Sequence, residues 1–327
     1  MYLVTGGAGF IGSNLVAALS EGGARVAVCD CLGSGDKWRN LAKRELHDLV
    51  PPEGLDDLLA AEGASVKAVL HLGAITSTTE TDADLLLRVN FGLSQRLWRW
   101  CAEAGVPLIY ASSAATYGDG SEGFDDDNAL EALARLRPMN AYGWSKHLFD
   151  RWVLRRLEEG GPRPPQWAGL KFFNVYGPNE YHKLAQASVA LHVFEQVREG
   201  GVARLFQSHR PDYPDGGQLR DFVWVGDCVA VMTWLLDNPG VSGLFNLGTG
   251  QARSFADLAR AVFRELNLPE AIDYVPTPEA IRAKYQYFTQ ARMDRLTGAG
   301  YTAGFTPLEE GVGRYLRDYL MKDDPFR

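Results

Sequence analysis

The sequence predicts an α/β protein that is built on a doubly wound parallel sheet and carries a smaller α/β lobe in its second half. Two observations lead to this prediction. Short apolar runs alternate with helical patterns through the first half of the chain, which is typical of a parallel sheet covered on both faces. A glycine-rich turn, from Gly6 to Gly12, lies between the first apolar run and the first helical pattern, as in the Rossmann arrangement.

The individual elements of the first half follow from the period of their apolar residues. Strands are predicted at residues 2–5, 25–30, 68–72, 108–112 and 170–175, and helices at 11–21, 55–62, 83–104 and 141–157. The segment 159–165 is rich in glycine and proline, which break both periods, so we predict a loop there.

The pattern is less regular beyond residue 176. Helices are predicted at 187–199 and 254–266, short strands at 219–225 and 243–247, and an exposed loop at 209–218; Ser254 is expected to cap the second helix. We therefore expect a dinucleotide-binding domain at 1–175, to which 222–247 returns. Residues 176–327 are expected to form mainly a substrate-binding lobe over the carboxyl ends of the strands.

Composition narrows the class of protein. The chain has 327 residues, of which 46 % are hydrophobic and 23 % charged, and its net charge is −8. These values fit a soluble globular protein and give no reason to expect a nucleic-acid or membrane partner. Because Met1 leads directly into a strand, we expect no signal peptide and a cytoplasmic location. The four cysteines have no metal-binding spacing, so we expect reduced, mostly buried thiols and no metal.

The glycine-rich turn is a candidate dinucleotide site. Gly6 permits a tight turn, Gly9 lets the backbone approach a pyrophosphate, and Gly12 lets the helix pack on the sheet. The helix N-terminus then faces the phosphates. A turn without a ligand is the alternative, which the flanking strand and helix disfavour.

The choice between NAD and NADP depends on the end of the second strand. Asp30 occupies the position that normally meets the adenosine ribose, where a carboxylate favours NAD. Lys37 and Arg39 follow it and either neutralise the 2′-phosphate of NADP or form a solvated basic loop. From these residues alone both cofactors remain open.

A second loop is expected to pass the pyrophosphate after the strand at 68–72. It comprises Leu72, Gly73, Ala74, Ile75 and Thr76. Asn90, on the next helix, can either hydrogen-bond back to this loop or be an exposed amide, and spacing alone does not decide between them.

The catalytic candidates are a tyrosine and a lysine four residues apart. On a helix Tyr142 and Lys146 lie on one face, about 6 Å apart along the axis. The lysine cation is expected to lower the pKa of the tyrosine, which then acts as a base near neutral pH. Ser113, at the end of a strand, can hydrogen-bond a substrate oxygen.

In this order the glycine turn and the Ser/Tyr/Lys set resemble the extended short-chain dehydrogenase/reductases that act on nucleotide sugars. Dehydratases and decarboxylases of that group carry an acid close to the catalytic serine. This sequence has Ala114, Ala115 and Thr116 there instead, which disfavours a water-eliminating reaction.

Motifs along the whole chain resemble the ADP-L-glycero-D-manno-heptose 6-epimerases. They are SSAATYG at 112–118, FNVYGPNEYHK at 173–183, ASVA at 187–190, RDFVWVGD at 220–227, VSGLFNLGTG at 241–250 and YQYFTQ at 285–290. The resemblance implies an isomerase of lipopolysaccharide core biosynthesis. Carbon six of the ADP-linked heptose is oxidised to a ketone by bound nicotinamide and reduced on its other face. Tyr142 and Lys183 serve as the two acid/base groups, although Lys183 could instead only bind phosphate or sugar.

The resemblance also implies binding roles, a preference for NADP over NAD, and a homo-oligomer, reported as a pentamer. The implied cofactor residues beyond the glycines are Phe10, Ile11, Asp30, Cys31, Lys37, Leu72, Gly73, Ala74, Ile75, Thr76, Asn90, Lys146, Val175 and Lys183. The implied substrate residues are Ser113, Asn174, His192, Phe206, Arg220 and Tyr285. For His192 an ordinary packed histidine is the alternative.

Three departures from the family lie outside the catalytic motif. Leu184, Ala185 and Gln186 replace a Gly-Ser-Met sequence, the loop before Arg220 is longer, and a family lysine has no counterpart near 51–52. An epimerase or reductase for another nucleotide sugar therefore remains an alternative. A cofactor-sensing protein without activity is disfavoured, because the Ser/Tyr/Lys set is intact.

Overall fold

A computed structural model describes residues 1–282 and 285–327 of the chain. The strands are β1 (Tyr2–Thr5), β2 (Val26–Cys29), β3 (Asp48–Val50), β4 (Ala68–His71), β5 (Leu108–Ser113), β6 (Trp167–Phe172), β7 (Asn174–Tyr176), β8 (Ala203–Phe206), β9 (Leu219–Trp224), β10 (Gly243–Leu247), β11 (Ala252–Ser254) and β12 (Ile272–Val275). The α-helices are α1 (Phe10–Glu21), α2 (Leu55–Glu62), α3 (Ala83–Leu86), α4 (Leu93–Ala104), α5 (Leu130–Arg135), α6 (Ala141–Glu158), α7 (Val189–Gly200), α8 (Val225–Asp237), α9 (Phe255–Glu265), α10 (Glu279–Arg282), α11 (Asp294–Gly298) and α12 (Leu308–Tyr315).

The central sheet confirms the predicted fold class. Its strands lie in the order β10-β6-β5-β4-β1-β2-β3, and their pairings are parallel. The chain winds outward from β1 in one direction through β2 and β3 and in the other through β4, β5 and β6. The switch point between β1 and β4 is where such folds bind ligands.

Helices cover both faces of this sheet because neighbouring strand residues point to opposite sides. Leu3 packs on one side in a cluster with Trp98 and Phe149, whereas Val4 packs on the other side with Leu15. Both strand residues are completely buried. Each such side chain stabilises the fold by about 1.5–3 kcal/mol through burial.

The second lobe has its own core, formed by α7, α9 and α12 around two small sheets. One sheet has the order β11-β9-β7, and the other pairs β8 with β12. Strand β10 lies in the central sheet, and α8 packs against α1, whereas β9 belongs to the lobe. The segment 222–247 is therefore divided between the two parts.

The predicted strand at 170–175 is wrong as a single element. The chain leaves the central sheet after β6 and enters the sheet of the lobe as β7. Phe173 lies between them and donates its backbone N–H to the Leu247 carbonyl. An apolar run cannot show this, because Phe172 and Phe173 on the two sides of the break are both apolar and buried.

Helix boundaries differ from the prediction in two places. The helix expected at 83–104 is interrupted by a π-helical segment, Leu87–Gly92, between α3 and α4. The helix expected from residue 187 begins at Val189, where the Ser188 side chain caps it by accepting the Leu191 N–H. The predicted cap at Ser254 is confirmed, and it forms a capping box with Asp257.

Several elements were not predicted from the sequence, namely β3, β8, β11, β12, α5, α8, α10, α11 and α12. Within the described ranges no helix is both long and apolar enough to cross a bilayer. Nor does the described part of the chain hold a group of three or more His, Cys, Asp or Glu side chains suited to a metal ion. Cys29, Cys101 and Cys228 are buried, and Cys31 is exposed.

Candidate active site

The candidate dinucleotide site lies at the switch point, where two loops cross at van der Waals distance. Gly6, after β1, has a φ of +69°, and a Cβ there would lie 2.5 Å from the backbone nitrogen of Gly73, after β4. Only glycine fits both the conformation and the space. The Gly73 N–H donates to the Thr5 hydroxyl at 3.2 Å, which holds the crossing together.

The turn also leaves the N-terminus of α1 open. A Cβ on Gly12 would lie 2.1 Å from the Gly6 carbonyl oxygen, so this glycine allows the helix to start directly beside the turn. No side chain caps α1, and its first turn contains no acidic residue. The helix therefore presents backbone N–H groups and the positive end of its dipole, a combination that suits a pyrophosphate.

Asp30 closes the ribose side of this cradle. Its carboxylate accepts the Ala8 N–H at 2.8 Å and the Lys37 ammonium at 2.6 Å. Lys37 also donates to the Cys31 carbonyl, so it is not part of a solvated basic loop. Arg39 instead lies 4.4 Å from the ring centroid of Phe326, near the C-terminus.

Asn90 joins the second loop to the catalytic helix. It is fully buried, so the alternative of an exposed amide is wrong. Its amide accepts the Ile75 N–H and donates to the Ile75 carbonyl, both at 2.9 Å, and it donates to Ser145 at 3.0 Å. The loop around Ile75 is thereby tied to α6, next to Tyr142 and Lys146.

Ser113, Tyr142 and Lys146 meet where the carboxyl end of β5 approaches the start of α6. Asn140 caps the helix by accepting the Gly143 N–H at 2.8 Å. Lys146 is only 4 % exposed, and its ammonium donates to the Ala111 carbonyl at 2.9 Å. The Ser113 hydroxyl accepts the Ala115 N–H and lies beside the Tyr142 phenol.

In the protein alone the pKa of Tyr142 is raised, whereas the sequence led us to expect a lowered one. Burial raises the pKa of Tyr142, and the Ser113 hydroxyl only opposes that rise. Burial also lowers the pKa of Lys146 to about 8, because a buried ammonium is poorly solvated. The spacing of the two residues could not show this, since it contains no information on burial.

A buried ion pair that the sequence analysis missed lies directly behind this group. Lys171 of β6 and Asp150 of α6 are both completely buried, with 2.7 Å between Nζ and Oδ2. Asp150 also accepts hydrogen bonds from Ser112 and Tyr110. Asp150 follows Lys146 by four residues. The spacing that places Tyr142 and Lys146 on one helix face could therefore also have indicated Asp150.

Replacing one residue of this ion pair should destabilise the protein far more than replacing both. Lys171→Met and Asp150→Asn should each lower the free energy of unfolding by about 3–5 kcal/mol, because each leaves one charge buried without its partner. The double variant should lose much less than the sum of the two. Urea denaturation of all four proteins measures the coupling; additive losses would show that the two charges do not interact.

Lys183 lies at the glycine turn, on a short helical segment at Tyr181–Gln186. Its ammonium is 5.4 Å from the ring centroid of Phe10, the first residue of α1. Burial lowers the pKa of Lys183, and the charge of Glu180 opposes this shift. Among the described residues no carboxylate oxygen lies within 4 Å of its ammonium.

Glu180 anchors this segment and was not predicted. It is completely buried and accepts hydrogen bonds from the Gly177 N–H and from both the N–H and the hydroxyl of Ser188. Asn40 connects the segment to the glycine turn, because its amide donates to the carbonyls of Ala8 and Asn179. The position of Lys183 is thus determined by contacts distant in sequence.

Leu184, one of the departures from the family, stores backbone strain. Its φ of +50° and ψ of −125° are typical of the first central residue of a type II′ turn, where glycine is preferred. Its side chain is 77 % exposed, so few contacts compensate.

Leu184→Gly should therefore raise the free energy of unfolding by about 1 kcal/mol, since such strain costs of order 1–3 kcal/mol and the added chain entropy of glycine offsets part of it. Thermal or urea denaturation measures the change. Ala185→Gly is the matched control and should destabilise, because Ala185 is outside the positive-φ region. Equal effects at the two positions would contradict the strain.

The opposite wall of the site contains an arginine and an aromatic cluster. Arg220 is 8 % exposed and lies 5.4 Å from the ring centroid of Tyr285, which packs edge-on against Phe206. Two of its nitrogens donate to the carbonyls of Leu219 and Gln286. Burial lowers the pKa of Arg220. A buried cation beside aromatic rings suits a nucleotide diphosphate.

The remaining predicted residues have less distinctive surroundings. Asn174 is exposed at the start of β7, and Val175 is half-buried between the central and lobe cores. The His192 side chain is 36 % exposed and lies 3.8 Å from Glu195 on the same helix. The predicted loop at 209–218 is confirmed, and within it Arg210 pairs with Asp212.

The doubly wound sheet, the cradle at its switch point and the Ser/Tyr/Lys group beside it define a dinucleotide-dependent enzyme of the short-chain dehydrogenase/reductase type. The chain belongs to the NAD dependent epimerase/dehydratase family, which it matches over residues 2–248, and within it to the ADP-L-glycero-D-manno-heptose-6-epimerases. The resemblance seen in the sequence is thereby confirmed.

Relatives of that name match the entire chain. The chain is 51 % identical over 329 residues to the ADP-L-glycero-D-manno-heptose-6-epimerase of Nitratidesulfovibrio vulgaris (strain DP4), with 100 % of both chains covered. It is 46 % identical over 335 residues to that of Fusobacterium nucleatum, again with 100 % of both covered. The crystal structure of the Helicobacter pylori protein of the same name has a TM-score of 0.77 at 27 % identity, covering 97 % of this chain and 95 % of that one.

Proposed function

We propose that the protein is an isomerase that inverts carbon six of ADP-D-glycero-D-manno-heptose to give the L-glycero-D-manno epimer. Relatives at 46–51 % identity over the full length carry this activity in their names. The observation that carries the proposal is the grouping of Ser113, Tyr142 and Lys146 beside a dinucleotide cradle that a second basic group, Lys183, also approaches. Inversion needs proton transfer on two faces of one carbon, and a simple reductase needs it on one.

Tyr142 takes the proton of the carbon-six hydroxyl on the face where the alcohol is oxidised. It must be a phenolate to do so, and the Lys146 cation four residues along the helix stabilises that phenolate. Ser113 donates a hydrogen bond to the carbon-six oxygen, which orients it toward Tyr142. Because Lys146 is buried and Tyr142 is half-buried, water competes weakly for these hydrogen bonds.

Lys183 serves the other face. After the ketone has turned, the Lys183 ammonium gives a proton to the carbon-six oxygen. Its burial makes the neutral amine accessible, since burial lowers its pKa. The alternative role, binding a phosphate, is favoured by its place beside Phe10 at the start of α1, and the two roles predict different kinetics.

The cradle fits a nicotinamide dinucleotide, because side chains at Gly6 or Gly12 would fill it and the N-terminus of α1 has no capping side chain. When bound, the nicotinamide accepts one hydride and returns it. The residues that would hold the dinucleotide are the glycine turn, Asp30, Cys31, Lys37, the loop from Leu72 to Thr76, and Val175. We favour NADP over NAD, because Lys37 neutralises Asp30 and leaves less repulsion for a 2′-phosphate.

The substrate experiment uses purified protein and ADP-D-glycero-D-manno-heptose, without added dinucleotide, with the epimers resolved by NMR. Conversion to the L-glycero-D-manno epimer is the expected result, and dinucleotide released by acid should be NADP. The observations that favour a different nucleotide sugar are the changed Leu184–Gln186 segment and the longer loop before Arg220. Conversion of UDP-glucose, with ADP-heptose untouched, would establish that alternative.

A homo-oligomer, a cytoplasmic location and a role in lipopolysaccharide core biosynthesis are parts of the same proposal. They follow from the family resemblance. Light scattering on the full chain measures the number of subunits, for which five is expected from that resemblance.

A further inference from the structure

We infer that Asp150 and Lys171 form a buried positioning pair for helix α6, in which the Asp150 carboxylate supports the positive charge of Lys146 and Lys171 holds Asp150 in place. The inference rests on the proposed function only in giving Lys146 a part in turnover. Both residues are completely buried, and neither was among the predicted site residues. They act through Lys146, so they are positioning residues rather than catalytic ones.

The helix places Asp150 directly behind Lys146. Tyr142, Lys146 and Asp150 are spaced by four residues and share one face of α6, and Asp150 lies about 6 Å beyond Lys146 along the axis. Both side chains reach the same part of β5. Lys146 donates to the Ala111 carbonyl at 2.9 Å, and Ser112, the next residue, donates to Asp150 at 2.7 Å.

Asp150 opposes the effect of burial on Lys146. Burial lowers the pKa of Lys146 to about 8, and the charge of Asp150 raises it. Two charges on successive turns of one helix in a protein interior interact strongly enough to move a pKa by about one unit or more. Without this carboxylate, Lys146 would lose its proton at a lower pH.

Lys171 has the complementary task. A buried carboxylate needs a partner of opposite charge, and Lys171 provides it with its ammonium 2.7 Å from Asp150 Oδ2. The same ammonium donates to the Thr116 hydroxyl at 2.8 Å and lies 5.0 Å from the ring centroid of Tyr117. Because Thr116 follows Ser113 by three residues, the pair connects the serine end of the site with the Tyr/Lys helix.

Few other ionisable groups face this pair. The acidic and basic side chains on the neighbouring elements α3 and α5 and on Leu87–Gly92 are exposed, namely Asp84, Arg88, Glu131 and Arg135. His71 on β4 is buried, and burial together with Lys146 lowers its pKa to about 3, so it is neutral. The buried or half-buried groups that face the pair are His71, Tyr110, Tyr117, Asp126, Tyr142 and His147, and of these Asp126 is a carboxylate whose charge interacts with Lys171.

The test is a titration of Lys146 by NMR in the full-length protein labelled with [13Cε]lysine, with the signal assigned by its loss in Lys146→Met. Asp150→Asn should lower the pH of half-titration by about one unit. The alkaline fall of the epimerisation rate should move by the same amount. Asp84→Asn is the matched control, because it removes an exposed carboxylate on α3 in the same way; it should not lower the half-titration pH.

The double variant Asp150→Asn/Lys171→Met leaves no unpaired buried charge. It therefore tests the inference if the single variant Asp150→Asn does not fold. It should also lower the half-titration pH of Lys146. An unchanged titration in Asp150→Asn, or in the double variant, overturns the inference. A shifted titration without any turnover of ADP-heptose keeps the pair and rejects the proposed function, and turnover with an unmoved titration does the reverse.

Discussion

Replacing Tyr142 by phenylalanine is expected to lower kcat for epimerisation by about 10³-fold, because a positioned proton-transfer group contributes typically 10²–10⁴-fold. The ring and its packing remain, and only the hydroxyl beside Ser113 is lost. Substrate affinity should change little. The rate is measured by NMR under saturating ADP-heptose, where binding no longer limits it.

Tyr319→Phe is the matched control for this substitution. Tyr319 is half-buried against the core of the second lobe, and the same oxygen atom is removed there. Its kcat should stay within about twofold of the unmodified protein. If Tyr142→Phe behaved like this control, Tyr142 would not handle the proton.

The second large effect is expected at Lys183. Lys183→Ala should lower kcat by about 10²–10⁴-fold if the ammonium transfers a proton. If it only binds phosphate, KM should rise while kcat stays within a few fold, because only binding shared by the ground and transition states is lost. The two roles are thus separated by which kinetic constant changes.

Chemical rescue makes this test sharper. Small primary amines should restore part of the lost rate in Lys183→Ala, and the rescue should increase with the fraction of neutral amine. Lys37→Ala is the control, because Lys37 already pairs with Asp30 at 2.6 Å and is assigned to the cofactor; amines should not rescue its kcat. If kcat were unchanged in Lys183→Ala, so that amines had no lost rate to restore, the two-base assignment would be contradicted.

Local signals in the sequence were sufficient for the fold class and for the dinucleotide turn. The turn from Gly6 to Gly12 must be glycine-rich because of the conformation and the contacts found there. The strands of the first half are continuous apolar runs, since both faces of their sheet are covered. Predicted and observed strands therefore differ by only one or two residues at most ends.

Contacts between distant segments could not be predicted in this way. The chain changes sheets at Phe173 because of pairing partners in β9 and β10, and no local pattern encodes a partner. The direction of the Tyr142 pKa shift depends on burial, which results from the packing of several elements. The helical spacing of residues in the sequence contains no information on that packing.

The chain's residues alone thus specify a Rossmann sheet, a glycine cradle and a Tyr/Lys face, because each depends on backbone conformation or spacing within one or two elements. The tertiary structure decides which charged side chains lie next to those groups. Asp150 and Lys171 are 21 residues apart, and Lys183 reaches Phe10 across most of the first domain. Such pairings arise only when β5, β6, α1 and α6 have packed, since burial and charge neutralisation are properties of the assembled interior.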